Sequence, residues 1–217
     1  MKSLRSVRYD NLHQRAHNDD TMPTTTPLLA IDGLAHGPIQ NLSFAWPAGV
    51  SWICGDEGSG KTTLMRLLAG DLQPTAGQVV APTKGDVFWL DLQDAAHDTH
   101  TVQACWDALR TRWPQWNDEL LQDLAQELDM QQHVDKRLNM LSTGSRRKVM
   151  VLAALASGAK VTLLDQPFAA LDLASIRILH ELLHEAAEHP SRAWIVADYE
   201  TPSDLPLACV LHLDTRQ

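Results

Sequence analysis

Residues 55–62 read GDEGSGKT and satisfy G-x-x-x-x-G-K-[ST] between an apolar run at 50–54 and a helical pattern from Lys61. That spacing makes a phosphate cradle. Glycines let successive N–H groups turn toward one anion, and the following helix N-terminus adds positive potential. Lys61 would reach the β- and γ-phosphates of a nucleotide, and Thr62 would ligate Mg2+. The candidate nucleotide-binding residues are therefore Gly55, Asp56, Glu57, Gly58, Ser59, Gly60, Lys61, Thr62 and Thr63. A second segment, VTLLDQPF, ends an apolar run in Asp165, where a carboxylate can share the Mg2+ shell with Thr62. The same Asp also reads as an ordinary residue of a turn.

These groups need a scaffold that brings distant segments together. Residues 28–32 and 39–46 read as short strands around the turn signal His36-Gly37-Pro38, an N-terminal β-layer. Strand 50–54 feeds the glycine-rich loop, and KTTLMRLLAG has helical spacing ended by Gly70. Strand candidates at 78–81 and 86–90 precede a helix-rich stretch at 102–134, with Trp106, Leu109, Leu120, Leu121, Leu124 and Leu128 at apolar positions. The pattern then predicts helix 146–156, strand 161–165, helix 173–188 and strands 193–197 and 209–213. This is the order of an α/β sheet with an inserted helical segment.

Composition limits the function classes. The 217 residues allow one domain with an insertion, and 44% hydrophobic against 21% charged residues indicates a folded globular body. Eighteen basic and 27 acidic side chains give a formal charge of −9, which disfavours broad attraction to nucleic acid. Three widely spaced cysteines suggest thiols in a reducing, cytoplasmic compartment. The longest apolar stretch, 149–164, is broken by Ser157, Gly158 and Lys160, so no membrane span is expected. Nor is a signal peptide. Residues 1–27 read as a disordered tail, and Met22 offers an alternative start that would make 1–21 an upstream extension.

The motifs together resemble those of the ATP-binding cassette ATPases. Residues 55–62 resemble the Walker A motif and Asp165-Gln166-Pro167 the Walker B D-E-P. Leu141-Ser142-Thr143-Gly144-Ser145 resembles the LSGGQ signature with its first Gly and its Gln replaced, and Ala169-Ala170-Leu171-Asp172 resembles the D-loop. Order and spacing match from about 28 to 213, most like stand-alone bacterial exporter cassettes, including the haem-export type of cytochrome c maturation. The resemblance implies a P-loop fold of this type over 28–217, with an N-terminal β-layer and a helical subdomain at about 97–145. It implies ATP and Mg2+ as cofactors, a second cassette as partner and a separate integral membrane subunit. The expected location is the cytoplasmic face of the membrane.

Carried over residue by residue, the resemblance makes Gln93 the candidate Q-loop glutamine, sensing metal and membrane partner; it also reads as a loop glutamine. Ser142 and Gly144 would approach a γ-phosphate held by the opposite subunit, and Ser142 is equally a helix cap. His36 is the ring nearest the place where the family stacks adenine. Two positions depart from the family. Gln166 stands where the catalytic glutamate is expected, and an amide orients water but accepts no proton. Asp198 stands where the switch histidine is expected, and its charge would repel phosphate oxygens. Hydrolysis is expected to be slow. The damage is one-sided, which favours a heterodimer over a homodimer. A non-catalytic nucleotide sensor is the alternative, and a DNA-associated cassette is disfavoured by charge.

Three further features read as structural. His180-Glu181-Leu182-Leu183-His184 matches H-E-x-x-H but has no evident third zinc ligand. Trp106, Trp113 and Trp116 fit the core of the insertion better than a docking surface. Arg146, Arg147 and Lys148 are expected as a solvated helix face.

Overall fold

The computed structural model describes residues 26–80, 85–91 and 95–213. The expectations for Met22, for nearly all of the tail and for Gln93 lie outside those residues. Strands β1 (Leu29–His36), β2 (Ile39–Trp46) and β4 (Ala76–Val80) form an antiparallel sheet in the order β2-β1-β4. Strands β3 (Gly49–Cys54), β5 (Val87–Phe88), β6 (Val161–Asp165), β7 (Ala193–Asp198) and β8 (Leu207–His212) form a second sheet in the order β5-β6-β7-β3-β8. All pairings in this second sheet are parallel.

Strand β1 runs four residues beyond its expected end. The connection to β2 is only Gly37-Pro38, so pairing continues to His36↔Ile39, with register shifts flanking Leu34. Strand β3 is buried along its whole length, as parallel strands covered on both faces must be. Its side chains alternate between two cores. Val50, Trp52 and Cys54 face one side, joined by Leu164, Trp194 and Val196 of the neighbouring strands. Ile53 faces the other, with Val161, Leu163, Ala193, Ile195 and Ala197.

Helix α1 (Lys61–Ala69) fills the second core with Leu64, Met65, Leu67 and Leu68 beneath Leu29, Leu34 and Trp46 of the antiparallel layer. The first core is covered by α4 (Thr143–Ala156) and α5 (Leu173–Ala187). The expected helical stretch becomes α2 (Val102–Arg112) and α3 (Asp118–Glu127), followed by single 3-10 turns at Gln131–His133 and Leu138–Met140. Thr101 caps α2 and Asn117 caps α3 through their side-chain oxygens. Helix α4 is buried without a break from Val149 to Ala156 because the sheet lies on one side and α2 and α3 on the other. Trp106 and Trp113 belong to that core, and the Trp106 indole donates to the Val149 carbonyl at 3.2 Å. Each large apolar side chain buried there contributes about 1.5–3 kcal/mol. Among the described residues no helix is long and apolar enough to cross a membrane.

Candidate functional site

The loop between β3 and α1 is shaped by its glycines. Gly58 and Gly60 have φ of +78° and +100°, a left-handed backbone that side chains disfavour. A Cβ on Gly55 would strike the Leu213 carbonyl, and one on Gly60 would press to 2.9 Å from both Pro38 and Ile39. The β1–β2 hairpin therefore rests directly on the loop. Lys61, the first residue of α1, is only 5% exposed and folds back over that loop. Its Nζ donates to the carbonyls of Gly55 at 2.5 Å and Asp56 at 2.9 Å, and lies 4.4 Å from the centroid of the Tyr199 ring. The Ser59 hydroxyl is buried and has no hydrogen-bond partner among the described residues. Asp56 and Glu57 are exposed, and Thr63 is half-buried in the first helical turn.

Strand register brings three chain segments to the same sheet end. Cys54 pairs with Asp198 and Asp165 with Ala197, so the C-terminal ends of β3, β7 and β6 lie in a row. That edge is where open α/β sheets take ligands. Thr62 Oγ1 donates to Asp165 Oδ2 at 2.6 Å. Asp165 Oδ1 is buried and unpartnered among the described residues. Burial pushes the Asp165 carboxyl above the usual range, opposed by the Thr62 bond and by the charges of Lys61 and Arg147. A hydroxyl beside a carboxylate oxygen still open to a partner is an oxygen donor set suited to Mg2+.

Gln166 follows with φ of +47°, and its N–H donates to the Ala197 carbonyl at 2.8 Å. Asp198 Oδ1 accepts from the Tyr199 N–H at 2.8 Å. Burial raises the proton affinity of Asp198, countered by that amide and by the charges of Lys61 and Arg147.

The basic triplet at 146–148 is not a solvated face. Arg146 pairs with Asp98 at 2.7 Å, and Lys148 reaches Asp172 at 2.9 Å and the Leu128 carbonyl at 3.2 Å. Arg147 Nη1 donates to the main-chain carbonyls of Gln166 at 2.7 Å and Ala169 at 3.0 Å. Burial lowers the proton affinity of Arg147, while Asp165 and Asp198 favour its charged form. The sequence offers one signal for this role. Arg147 follows a Ser cap by five residues, so it lies just over one turn into α4.

Ser142 caps α4, its Oγ accepting from the Ser145 N–H at 3.1 Å. Gly144 is packed so tightly on the Ala170 carbonyl that a Cβ would not fit. A cavity of about 670 Å3 is lined by Thr62, Asp165, Gln166, Thr143, Arg146, Arg147 and Trp89, among others. His36 stands at the end of β1 with its Nδ1 bonded to the Gln73 carbonyl at 3.0 Å. His180 of the H-E-x-x-H segment pairs with Asp204 at 3.1 Å, and His184 is exposed.

Comparison with known proteins agrees with this architecture. The family described as ABC transporter matches residues 39–169, more than half of the chain. The cytochrome c biogenesis ATP-binding export protein CcmA of Tatumella citrea is 30% identical over 175 residues, which cover 77% of this chain and 82% of that protein. An ABC transporter ATP-binding/permease protein of Mycobacterium tuberculosis is 31% identical over 160 residues, 66% of this chain; the match spans only 18% of that longer relative. In fold, a bacterial Atm1-family ABC exporter with ATP bound superposes with a TM-score of 0.69 at 18% identity, over 95% of this chain and 41% of that one. With its glycine loop, the Thr62–Asp165 pair and the capped α4 all set on one sheet edge, the chain belongs to the ATP-binding cassettes of the ABC transporter family.

Proposed function

We propose that this chain binds MgATP at the 55–62 loop and serves as the ATP-binding subunit of a transporter whose membrane subunit is a separate chain. The observation that carries the nucleotide reading is the Thr62–Asp165 contact with Asp165 Oδ1 left unpartnered among the described residues. Thr62 and Asp165 would hold Mg2+, which would supply positive charge to offset that of the bound phosphates. Lys61 would exchange the carbonyls of Gly55 and Asp56 for phosphate oxygens, and the N–H groups of the glycine loop would take the rest. Calorimetric titration with ATP, with and without Mg2+, tests this. Equal affinity in the two conditions would argue against the role of Thr62 and Asp165.

Hydrolysis at this loop is slow in this reading. Gln166 orients a water but takes no proton from it, and a positioned base is worth about 10²–10⁴-fold. Asp198 sets a carboxylate, not an imidazole, at the end of β7, within the influence of Lys61 and Arg147. Ser142 and Gly144 remain available to complete the site of a second cassette, so the working form is a heterodimer at the cytoplasmic face of the membrane. Co-purification with an integral membrane protein and a second cassette is the expected result. Recovery as a lone chain on a soluble enzyme would favour a sensor.

A further inference from the structure

The parallel pairing of β3 with β8 sets Cys54 opposite His212, and Cys54 Sγ and His212 Nδ1 share a hydrogen bond of 2.9 Å. Both residues line a second cavity, about 550 Å3, with Gly55, Asp56, Glu200 and Thr201. Cys54 is 5% exposed, so its sulfur meets solvent through this cavity, while His212 is exposed and can pass a proton to water. Among the described residues the other two thiols have no such base. Cys105 lies in the apolar core, where burial pushes it up to about 11, and Cys209 points to the Ser51 hydroxyl at 3.1 Å.

We propose that Cys54 and His212 form a nucleophilic thiol–imidazole pair that exchanges with small neutral or cationic disulfides and thereby closes the nucleotide loop. The imidazole takes the thiol proton and the thiolate attacks one sulfur of the disulfide. Its S–S bond breaks and the other half leaves as a thiolate. Cys54 and half of the reagent are joined in a mixed disulfide, the other half is reduced, and added thiol reverses the step. The charge preference comes from the Asp56 and Glu200 carboxylates on the cavity wall, which repel an anionic reagent.

The consequence for ATP rests on the nucleotide reading above. Cys54 immediately precedes Gly55, and the cavity its sulfur faces is walled by Gly55 and Asp56, the two residues whose carbonyls hold Lys61. An adduct there displaces the first residue of the loop.

The test treats the full chain with cystamine and follows each cysteine by peptide mass mapping. Cys54 is expected to react at least about tenfold faster than Cys105, and faster with cystamine than with the dianionic dithiodiglycolate. His212→Asn and His212→Gln should each slow Cys54 by about 10², the lower end of what a positioned base supplies. Modified protein should lose ATP affinity and regain it with dithiothreitol, and cystamine should leave ATP binding by Cys54→Ser unchanged. A Cys54 rate equal to that of Cys105, or undiminished in both His212 variants, overturns the proposal. The labelling rates are read without nucleotide, so a chain that binds no ATP at all overturns the function proposed above and leaves the thiol pair to be judged on its own rates.

Discussion

The Lys61 ammonium lies 4.4 Å from the centroid of the Tyr199 ring while it donates to two carbonyls of its own loop. The cation is thus already solvated by protein, and a phosphate must displace those partners. Lys61→Ala should lower ATP affinity by about 10–100-fold, or roughly 1.4–2.8 kcal/mol. Tyr199→Leu should act in the opposite sense and tighten binding several-fold or more, because a cation–π contact between the buried Lys61 ammonium and the half-exposed Tyr199 ring is worth about 0.5–2 kcal/mol. Calorimetric titration of both variants checks the pair.

Asp198 offers a pH test. Its folded carboxyl holds a proton more tightly than it would in the unfolded chain, because burial penalises the charge. The native state therefore binds more protons in the window above the ordinary carboxylate value of about 4, and stability falls as pH rises through the raised value. Asp165 is raised too and contributes a slope of the same sign. Asp198→Asn should flatten part of that slope in urea titrations across pH. At neutral pH it should also tighten ATP binding by about tenfold, since a negative charge near the phosphates is gone.

Gly144 answers to packing inside its own chain. Gly144→Ala forces a methyl onto the Ala170 carbonyl and should cost about 1–3 kcal/mol, read as a lower urea midpoint. Ser142→Ala removes only a cap and should cost about 1 kcal/mol.

The proposed asymmetric assembly predicts its own ranking. With a partner cassette present, Ser142→Arg should abolish turnover by driving a bulky cation into the partner's phosphate site, and Gln166→Ala should change it modestly. Gln166→Glu alone should restore little activity, because Asp198 remains. Steady-state ATPase assays of the purified pair decide this, and a Gln166-dependent, Ser142-independent enzyme would overturn it.

What was legible in the sequence was periodic or local. The spacing of Gly55, Gly60 and Lys61, the alternation of Val50, Trp52 and Cys54, and the cap at Ser142 follow from short-range chemistry. Strand β7 was legible too, but Tyr199 beside Lys61 depends on the register Cys54↔Asp198, which no short window contains. Arg147 was misplaced for a similar reason. Three successive charges suggest solvent, and the carbonyls that hold Arg147 are about twenty residues away, in a turn whose shape depends on positive φ at Gln166 and Ala170. The ring of His36 likewise meets Gln73, 37 residues on, across the β1–β4 pairing.

The turn after β6 is grasped twice by the start of α4. Arg147 binds its carbonyls at Gln166 and Ala169, and Gly144 abuts the carbonyl of Ala170. These contacts tie the two segments directly together. A second cassette docking at Ser142, as proposed, would therefore bear on Asp165, and by thermodynamic reciprocity whatever binds at Asp165 would change the affinity for that partner by the same factor. The proposed nucleotide site and the proposed docking face would then need no flexible relay between them.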